Sequence, residues 1–444
     1  MPNSPTHTPA SRTARSAGGV DVAALAGRAK EASRLTAVLP TETKNAVLTT
    51  LAGLIETRGK EILAANEADL VAAREAGLSA PKVARLGLTE AAVGQMAKGV
   101  RLVAALPDPV GVVTTDRKVE SGLRVRRVRA PLGVIAMIYE ARPGVTVDAF
   151  ALCFKAGNAC VLRGGKEAAG SNGALAGLVH EALAAHGAPV DALVNLSGTA
   201  REDLAMLLTL SQSIDLVIPR GGRELIELVT RTAAGRIPTI QHFQGVCHIY
   251  VDAAADVEMA VEICATAKTS APATCNALEC VLVHRDIAAA FIPPMLARFA
   301  VDGVEVRGTP TVIGLAPSGL KETVDGGNLR QAAPEDFGRE FLDLIVAMRI
   351  VPGMDAAIEH IATYGSNHTE AIVSQDADAA EAFTARVQSS CVLVNASTRF
   401  NDGFSLGLGA EIGISTSKLH AYGPMGLEEL TTQRWVVMGS GQTR

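Results

Sequence analysis

The sequence predicts an α/β protein of two domains, each built on a parallel sheet with helices on both faces, plus a small antiparallel ribbon. Three observations carry this. The chain has 444 residues, which at roughly 100–200 residues per domain makes two or three domains with real cores. From Pro131 onward short Val-, Ile- and Leu-rich runs alternate with helix-period segments, the pattern of parallel strands joined by crossover helices. Many of the 42 glycines stand at the ends of those apolar runs, where strand-to-helix turns need them.

Residues 1–20 (MPNSPTHTPASRTARSAGGV) lack an apolar core and an A-x-A site; they are expected to be a disordered tail, not a signal peptide. From Val20 to about Val103 apolar residues recur at three- and four-residue spacing, predicting four or so helices. Between Gly111 and Ala130 the spacing changes to alternation, with Ser121 and Gly122 as a turn, predicting a hairpin. The four arginines of its second half (124, 126, 127, 129) fit an exposed or subunit-pairing ribbon better than a nucleic-acid patch. After Pro131 the strands LGVIAMIY, ACVLRG, LVNLSG, IDLVIPRG, IPTIQHF and GVCHIYVD are expected, the first five linked by helices. A second series starts near Val251 with the strands ALECVLVH, LDLIVAMRIV, AIVSQD and CVLVNAS between helices, and a Gly- and Pro-rich stretch from 302 to 336. ELTTQRWVVMGSG reads as a last strand able to pair with the Arg-rich ribbon.

Composition narrows the function. Lys and Arg number 41 against 46 Asp and Glu, a net charge of -5, which speaks against a broadly basic nucleic-acid binder. Aromatics are only 3%, too few for base-stacking or sugar-binding platforms. At 48% hydrophobic and 20% charged the chain reads as globular. No apolar run reaches the ~18–20 residues that span a bilayer, so a cytoplasmic protein without membrane contact is the expectation. Seven cysteines at irregular spacing, without C-x-x-C, predict neither a disulfide framework nor a metal site.

Each thiol is then judged by its surroundings. Cys153, Cys160, Cys264, Cys280 and Cys391 lie in apolar helices or strands and Cys247 begins a strand. Cys275 stands apart, in the small-residue loop KTSAPATCNALE between a helix and a strand. Small neighbours admit a substrate, Lys268 is a local cation, and loop amides can face an oxyanion, so Cys275 is the candidate nucleophile. For a Cys–His hydrolase His242, His248 and His368 are possible bases, which spacing cannot pair. SGTARED and PRGGREL place small residues at strand-to-helix turns that can cradle a phosphate, although neither is G-x-G-x-x-G. Arg163, Lys166 and Arg220 follow strands at the same edge and could meet a phosphate, including the 2′-phosphate of NADP.

VRAPLGVIAMIYEARPGVTVDAFALCFKAGNACVLRGGKEA, DLVIPRGGRELI, SAPATCNALE, VPGMDAAIEHIATYGSNHTEAI and VNASTRFNDGFSLGLGAEIGISTSKLHAYGPMGLEEL run in order from about Val128 to Leu430. In these segments the chain resembles the aldehyde dehydrogenase superfamily and, within it, the gamma-glutamyl phosphate reductase family. The resemblance implies a cofactor-binding domain (21–110 and 131–248), an oligomerisation flap (111–130 and 431–444) and a catalytic domain (249–430). Cys275 matches the nucleophile; Arg163, Gly221 and Gly222, with Lys166 and Arg220 nearby, match cofactor contacts, and Glu340 matches a ribose-holding carboxylate. Arg142, Lys268 and Arg399 are implied for the substrate's anions, with Asn395, His368 and Asp402 as further lining.

The implied reaction is NADPH-dependent reduction of L-glutamyl 5-phosphate to L-glutamate 5-semialdehyde and phosphate through a Cys275 thioester, the second step of proline biosynthesis from glutamate. A homodimer or homotetramer is implied, with a glutamate kinase as a possible partner. Two departures from the wider superfamily bear on this. Hydrolytic members carry a water-activating Glu in a Leu-Glu-Leu-Gly-Gly segment, where this chain has FQGVCH (243–248), and Gln244 cannot be a general base. Where others carry an oxyanion Asn, this chain has YEARP (139–143). The competing expectations are a hydrolytic aldehyde dehydrogenase, which would turn over without phosphate, and a non-catalytic nucleotide-binding protein, in which Cys275 would be inert.

Overall fold

The computed structural model describes residues 20–197, 199–240, 244–321 and 327–443. All but the last residue of the tail expected at 1–20 lies outside them.

Five helices open the chain: α1 (Val22–Thr36), α2 (Thr41–Thr57), α3 (Gly59–Glu75), α4 (Ala80–Leu86) and α5 (Glu90–Ala105). Side-chain caps start two of them, Asp21 accepting from the Ala24 amide and Thr89 from the Ala92 amide, each worth about 1 kcal/mol. α2 and α5 bury Val47, Leu48, Leu51, Val93, Val100 and Val103 in one cluster with the next helix of the chain. The ribbon is β1 (Val113–Lys118) and β2 (Arg124–Pro131). Next come β3 (Val134–Tyr139), α6 (Val145–Lys155), β4 (Ala159–Arg163), α7 (Ala169–Ala185), β5 (Leu193–Asn195), α8 (Arg201–Leu207), β6 (Leu216–Arg220) and α9 (Arg223–Ala233). These strands form a parallel sheet in the order β5-β4-β3-β6. β3 is buried at every residue, as a central strand covered by helices on both faces must be.

The second domain holds β7 (Cys247–Val251), α10 (Val257–Thr269), β8 (Leu278–His284), α11 (Ala288–Val301), β9 (Glu305–Gly308), α12 (Pro310–Gly314), α13 (Ser318–Lys321), β10 (Leu329–Gln331), β11 (Ile345–Val351), α14 (Met354–Tyr364), β12 (Thr369–Val373), α15 (Ala377–Arg386) and β13 (Cys391–Val394). Its seven strands run parallel in the order β10-β9-β11-β8-β7-β12-β13. A two-stranded pair, β14 (Ile414–Ser415) with β15 (Gly423–Pro424), precedes β16 (Thr431–Met438), which pairs antiparallel with β2 along its whole length.

Two expectations are corrected. GVCHIYVD does not close the first sheet: β7 lies between β8 and β12 of the second, so a boundary at 248/249 would cut a strand. IPTIQHF is not a described strand either; Thr239 makes one parallel bridge to Val217, and Pro238 has no amide to donate. In the flap, Asp116 takes Arg124 and Arg126, Arg127 lies 5.1 Å over the Trp435 ring, and Arg129 pairs with Glu428. The four arginines of β2 are thus engaged within the ribbon and its flank.

Candidate active site

The loop from 270 to 277 carries Cys275 from the end of α10 to the start of β8. It is gripped from two sides. On one, the Cys247 thiol donates to the Cys275 carbonyl at 3.2 Å, and a Cβ on Gly245 would lie 1.9 Å from that oxygen. On the other, Arg399 Nη1 donates to Thr274 Oγ1 (2.9 Å) and to Asn276 Oδ1, while Asn276 Nδ2 donates to the Arg399 and Asn401 carbonyls. The thiol itself is half-buried. Burial, then Glu411 and Glu340, push it up to about 11, against the pull of the Arg220 guanidinium. Such a thiol rests protonated and gains nucleophilicity as nearby positive charge increases.

A cavity of about 440 Å³ is lined by Arg85, Arg142, Arg220, Asp148, Asp402 and Glu411 among others. Three guanidiniums in one cavity repel one another. Arg142 is held below the usual arginine range by burial first, then by Arg220 and Arg85, and the Cys275 thiolate opposes this. Arg142 thus lies within electrostatic reach of the Cys275 sulfur. Arg142 sits on a turn that begins in strain: Ala141 has φ 36°, a conformation L-residues other than Asn and Asp rarely hold without local support. Glu167 supports it, accepting from the Ala141 amide at 3.0 Å.

Behind this turn lies the edge where the sequence points to a cofactor. Arg163 at the end of β4 donates to the Thr199 carbonyl, and its Nε is buried with no partner among the described residues; burial lowers its pKa. Lys166 is exposed. A Cβ on Gly221 would lie 2.7 Å from Leu225 Cδ2 and 2.8 Å from Glu140 Oε2, so the ends of those two side chains would have to shift to admit one. The Gly222 amide, at the start of α9, donates to Glu140 at 3.1 Å. Glu340 accepts from the Gly245 amide at 2.9 Å, and burial raises its pKa. An unsatisfied guanidinium nitrogen, a side-chain-free turn and an exposed lysine at the carboxyl ends of parallel strands fit a dinucleotide.

Several expected positions are elsewhere. Arg220, expected with the cofactor, lines the cavity beside Arg142. Lys268, expected on an anion, is fully buried, with its ammonium 2.9 Å from Glu279; burial raises Glu279 to about 7 and lowers Lys268. Removing one member of such a pair strands a buried charge, at a cost of about 3–5 kcal/mol. His368 is fully buried with Nδ1 2.6 Å from Thr369 Oγ1. His248, also buried, pairs with Glu370. Asn395 spends its amide on the Ser374 amide and carbonyl, and Arg399 braces the Cys275 loop. Asp402 does line the cavity, its Oδ1 accepting from the Phe404 and Ser405 amides. His242 lies outside the described residues. Arg85, Asp148 and Glu411 were not singled out by sequence. Asp148, a lone acid inside the apolar helix VTVDAFALCFK, was the one with a visible signal.

One buried group with ligand chemistry also escaped spacing arguments: His248, Cys280 and His360, with ligand atoms within 4.8 Å of one another. Arg349 Nη1 lies 3.2 Å from His360 Nδ1, a fixed positive charge that opposes a second cation there.

The aldehyde dehydrogenase family model matches residues 3–306. A gamma-glutamyl phosphate reductase of Nitratidesulfovibrio vulgaris is 52% identical over 417 residues, covering 94% of this chain and 97% of the relative. One from Solidesulfovibrio magneticus is 50% identical, covering 96% and 99%. The crystal structure of the gamma-glutamyl phosphate reductase of Thermotoga maritima superimposes with a TM-score of 0.90 at 39% identity, covering 95% and 99%. An acetylating aldehyde dehydrogenase of Geobacillus thermoglucosidasius shares the fold, with a TM-score of 0.68 at 17% identity, covering 96% of this chain and 97% of that one.

Proposed function

Because the chain belongs to the aldehyde dehydrogenase family and, within it, to the gamma-glutamyl phosphate reductases, we propose that it reduces L-glutamyl 5-phosphate to L-glutamate 5-semialdehyde and phosphate, a step of proline biosynthesis, with Cys275 as nucleophile. The observation that carries this reading is a half-buried thiol in electrostatic reach of a cavity holding three arginines. The substrate brings an α-carboxylate and an acyl phosphate into that cavity, and Arg85, Arg142 and Arg220 are the cations available to them.

Negative charge entering beside Arg142 and Arg220 relieves their mutual repulsion. The Cys275 thiol gives up its proton and its sulfur attacks the acyl carbon, the carbon–oxygen bond to phosphate breaks, and the leaving phosphate departs as a stable anion that carries the proton away, giving a thioester on the enzyme. A bound nicotinamide cofactor supplies the hydride that reduces this thioester. The resulting hemithioacetal expels the sulfur, releasing the aldehyde and restoring Cys275. The Gly245 contact and the Arg399 brace fix the loop so that the sulfur keeps one position through both halves. Gln244 cannot activate water, so the thioester is spared hydrolysis.

The cofactor is NADPH in this reading. Arg163 Nε lacks a partner among the described residues and Lys166 is exposed, cations suited to a 2′-phosphate; Gly221 and Gly222 give backbone access at α9, and Glu340 serves the nicotinamide-side ribose. Glu140 must release the Gly222 amide for a pyrophosphate to use it. The flap joins copies of the chain into a homodimer or homotetramer: Trp435 and Val437 are 56% and 53% exposed on it, a costly display for a monomer. No helix among the described residues is long and apolar enough to cross a membrane, and we place the enzyme in the cytoplasm, supplied by a glutamate kinase.

The test is the reverse reaction. Oxidation of L-glutamate 5-semialdehyde with NADP is expected to require inorganic phosphate and to vanish in Cys275→Ser. Full turnover without phosphate would overturn the reading in favour of a hydrolytic dehydrogenase.

A further inference from the structure

We propose that Asp148 forms the subsite for the α-ammonium group of the substrate and thereby selects an α-amino acid derivative over its deaminated analogue. This rests on the reductase reading above, which accounts for the cavity's cations but leaves its acids unexplained.

The cavity carries three carboxylates against three arginines, and two of the three are already engaged. Asp402 accepts from the Phe404 and Ser405 amides at 2.9 and 2.8 Å, and Glu411 accepts from the Gly403 amide at 2.9 Å. Both stabilise the 402–411 segment. Asp148 differs: among the described residues its carboxylate has no hydrogen bond and no ion pair, although Arg220 acts on it through space. An acid left unpartnered in a cavity with three guanidiniums is held away from them by the backbone that carries it. That backbone is the first turn of α6, which is rigid and packed: the helix buries ten of its eleven residues, and Gly99 of α5 passes behind, where a Cβ would lie 3.9 Å from Asp148 Oδ1.

Asp148 is the one residue of α6 that is only half-buried, so its carboxylate is open to the cavity, and a substrate that displaces solvent from it must bring a cation or leave a desolvated charge. Even so, burial pushes Asp148 up to about 6, with Arg220 opposing. The substrate brings one cation, its ammonium, on the same carbon as an α-carboxylate. A zwitterion of this kind needs an acid and a base within one residue's reach, and Asp148 with the arginines of the same cavity supplies both. An ammonium is a triple donor and can take Asp148 in a charge-assisted bond, worth roughly 10- to 100-fold in binding.

The experiment compares L-glutamate 5-semialdehyde with glutaric semialdehyde, which lacks the amino group, in the NADP- and phosphate-dependent oxidation. The native enzyme is expected to favour the amino-bearing aldehyde. Asp148→Asn should raise its KM roughly 10- to 100-fold with kcat little changed and leave the deaminated aldehyde unaffected, whereas Asp148→Glu should keep much of the discrimination. Protection of Cys275 from alkylation, which needs no turnover, gives a second reading. L-Glutamate should protect the native enzyme better than glutarate does, and Asp148→Asn should equalise the two. Equal protection of the native enzyme by both, or an equal loss on both aldehydes in Asp148→Asn, would overturn the subsite and leave the reductase reading intact. A native enzyme that oxidises either aldehyde without phosphate would instead overturn that reading, and the subsite with it.

Discussion

Burial and charge act in opposite directions on one proton at Cys275. Loss of solvent, with Glu411 and Glu340 nearby, favours the neutral thiol, and Arg220 favours the thiolate; burial dominates, and the group lies at about 11. The sign of the pH dependence follows. Below that value the reactive thiolate is the minor form and grows about tenfold per pH unit. Alkylation of Cys275 in the free enzyme is thus expected to quicken about tenfold per unit from about pH 7 to pH 10, and Arg220→Gln should slow it at any fixed pH in that range. A rate already level at neutral pH would show that the thiolate is preformed. The sequence singled out this thiol because six others stand in apolar elements and this one stands among small loop residues. It could not place Lys268. That residue is near Cys275 in the chain, but α10 points its ammonium into the interior, where Glu279 of β8 receives it. Sequence distance does not report which side of a helix faces the site, and Arg220 shows the same limit in reverse: it ends a strand on the cofactor edge, yet its side chain turns into the substrate cavity and donates to the Ile412 carbonyl.

The elements around Cys275 were legible for a physical reason: central parallel strands are covered on both faces and are mostly apolar, so β3 and β4 appear as near-continuous runs, and β7 and β8 as runs broken only by His248, Glu279 and the terminal His284. What an apolar run does not encode is which sheet it joins. GVCHIYVD follows the first series in the chain, but its residues pair with β8 and β12, and the segment leading into β7 lies against the Cys275 loop. That placement explains Gly245, whose missing side chain leaves room for the Cys275 carbonyl. Gly245→Ala is expected to push the loop away by an ångström or so and lower kcat by roughly a hundredfold, the usual cost of misplacing a reacting group by about that distance. Far-ultraviolet circular dichroism and cofactor binding should stay near native, because β7 still pairs on both sides. Native turnover in this variant would mean that the loop can yield without moving the sulfur.

At the scale of the whole molecule the cavity is assembled from the start of the chain, the first sheet and the segment after the second: Arg85 ends α4, Arg142 and Asp148 flank the start of α6, Arg220 ends β6, and Asp402 and Glu411 follow β13. No periodicity connects positions so far apart, which is why Arg142 and Asp402 were reached only through the family resemblance, and Arg85, Asp148 and Glu411 only through the fold. The flap is the opposite case, read in advance from alternation and confirmed as strands by the full pairing of β16 with β2. It joins two segments some 300 residues apart and is largely open to solvent: every β1 residue is exposed, and β16 is mostly so. Trp435 stands opposite Arg127 and Val437 opposite Val125, so these four side chains share one face. An uncovered three-stranded sheet with an exposed Trp and Val is marginal alone and gains most from a second copy laid on that face, where cyclic symmetry makes one patch serve both partners. Charges placed there should separate the copies without touching either core. Trp435→Asp with Val437→Asp is expected to lower the mass measured by sedimentation equilibrium by a factor of about two, while each chain keeps its helical circular dichroism and its Cys275 alkylation rate. An unchanged mass would place the subunit contact elsewhere on the molecule and leave the flap's exposed apolar face to another role.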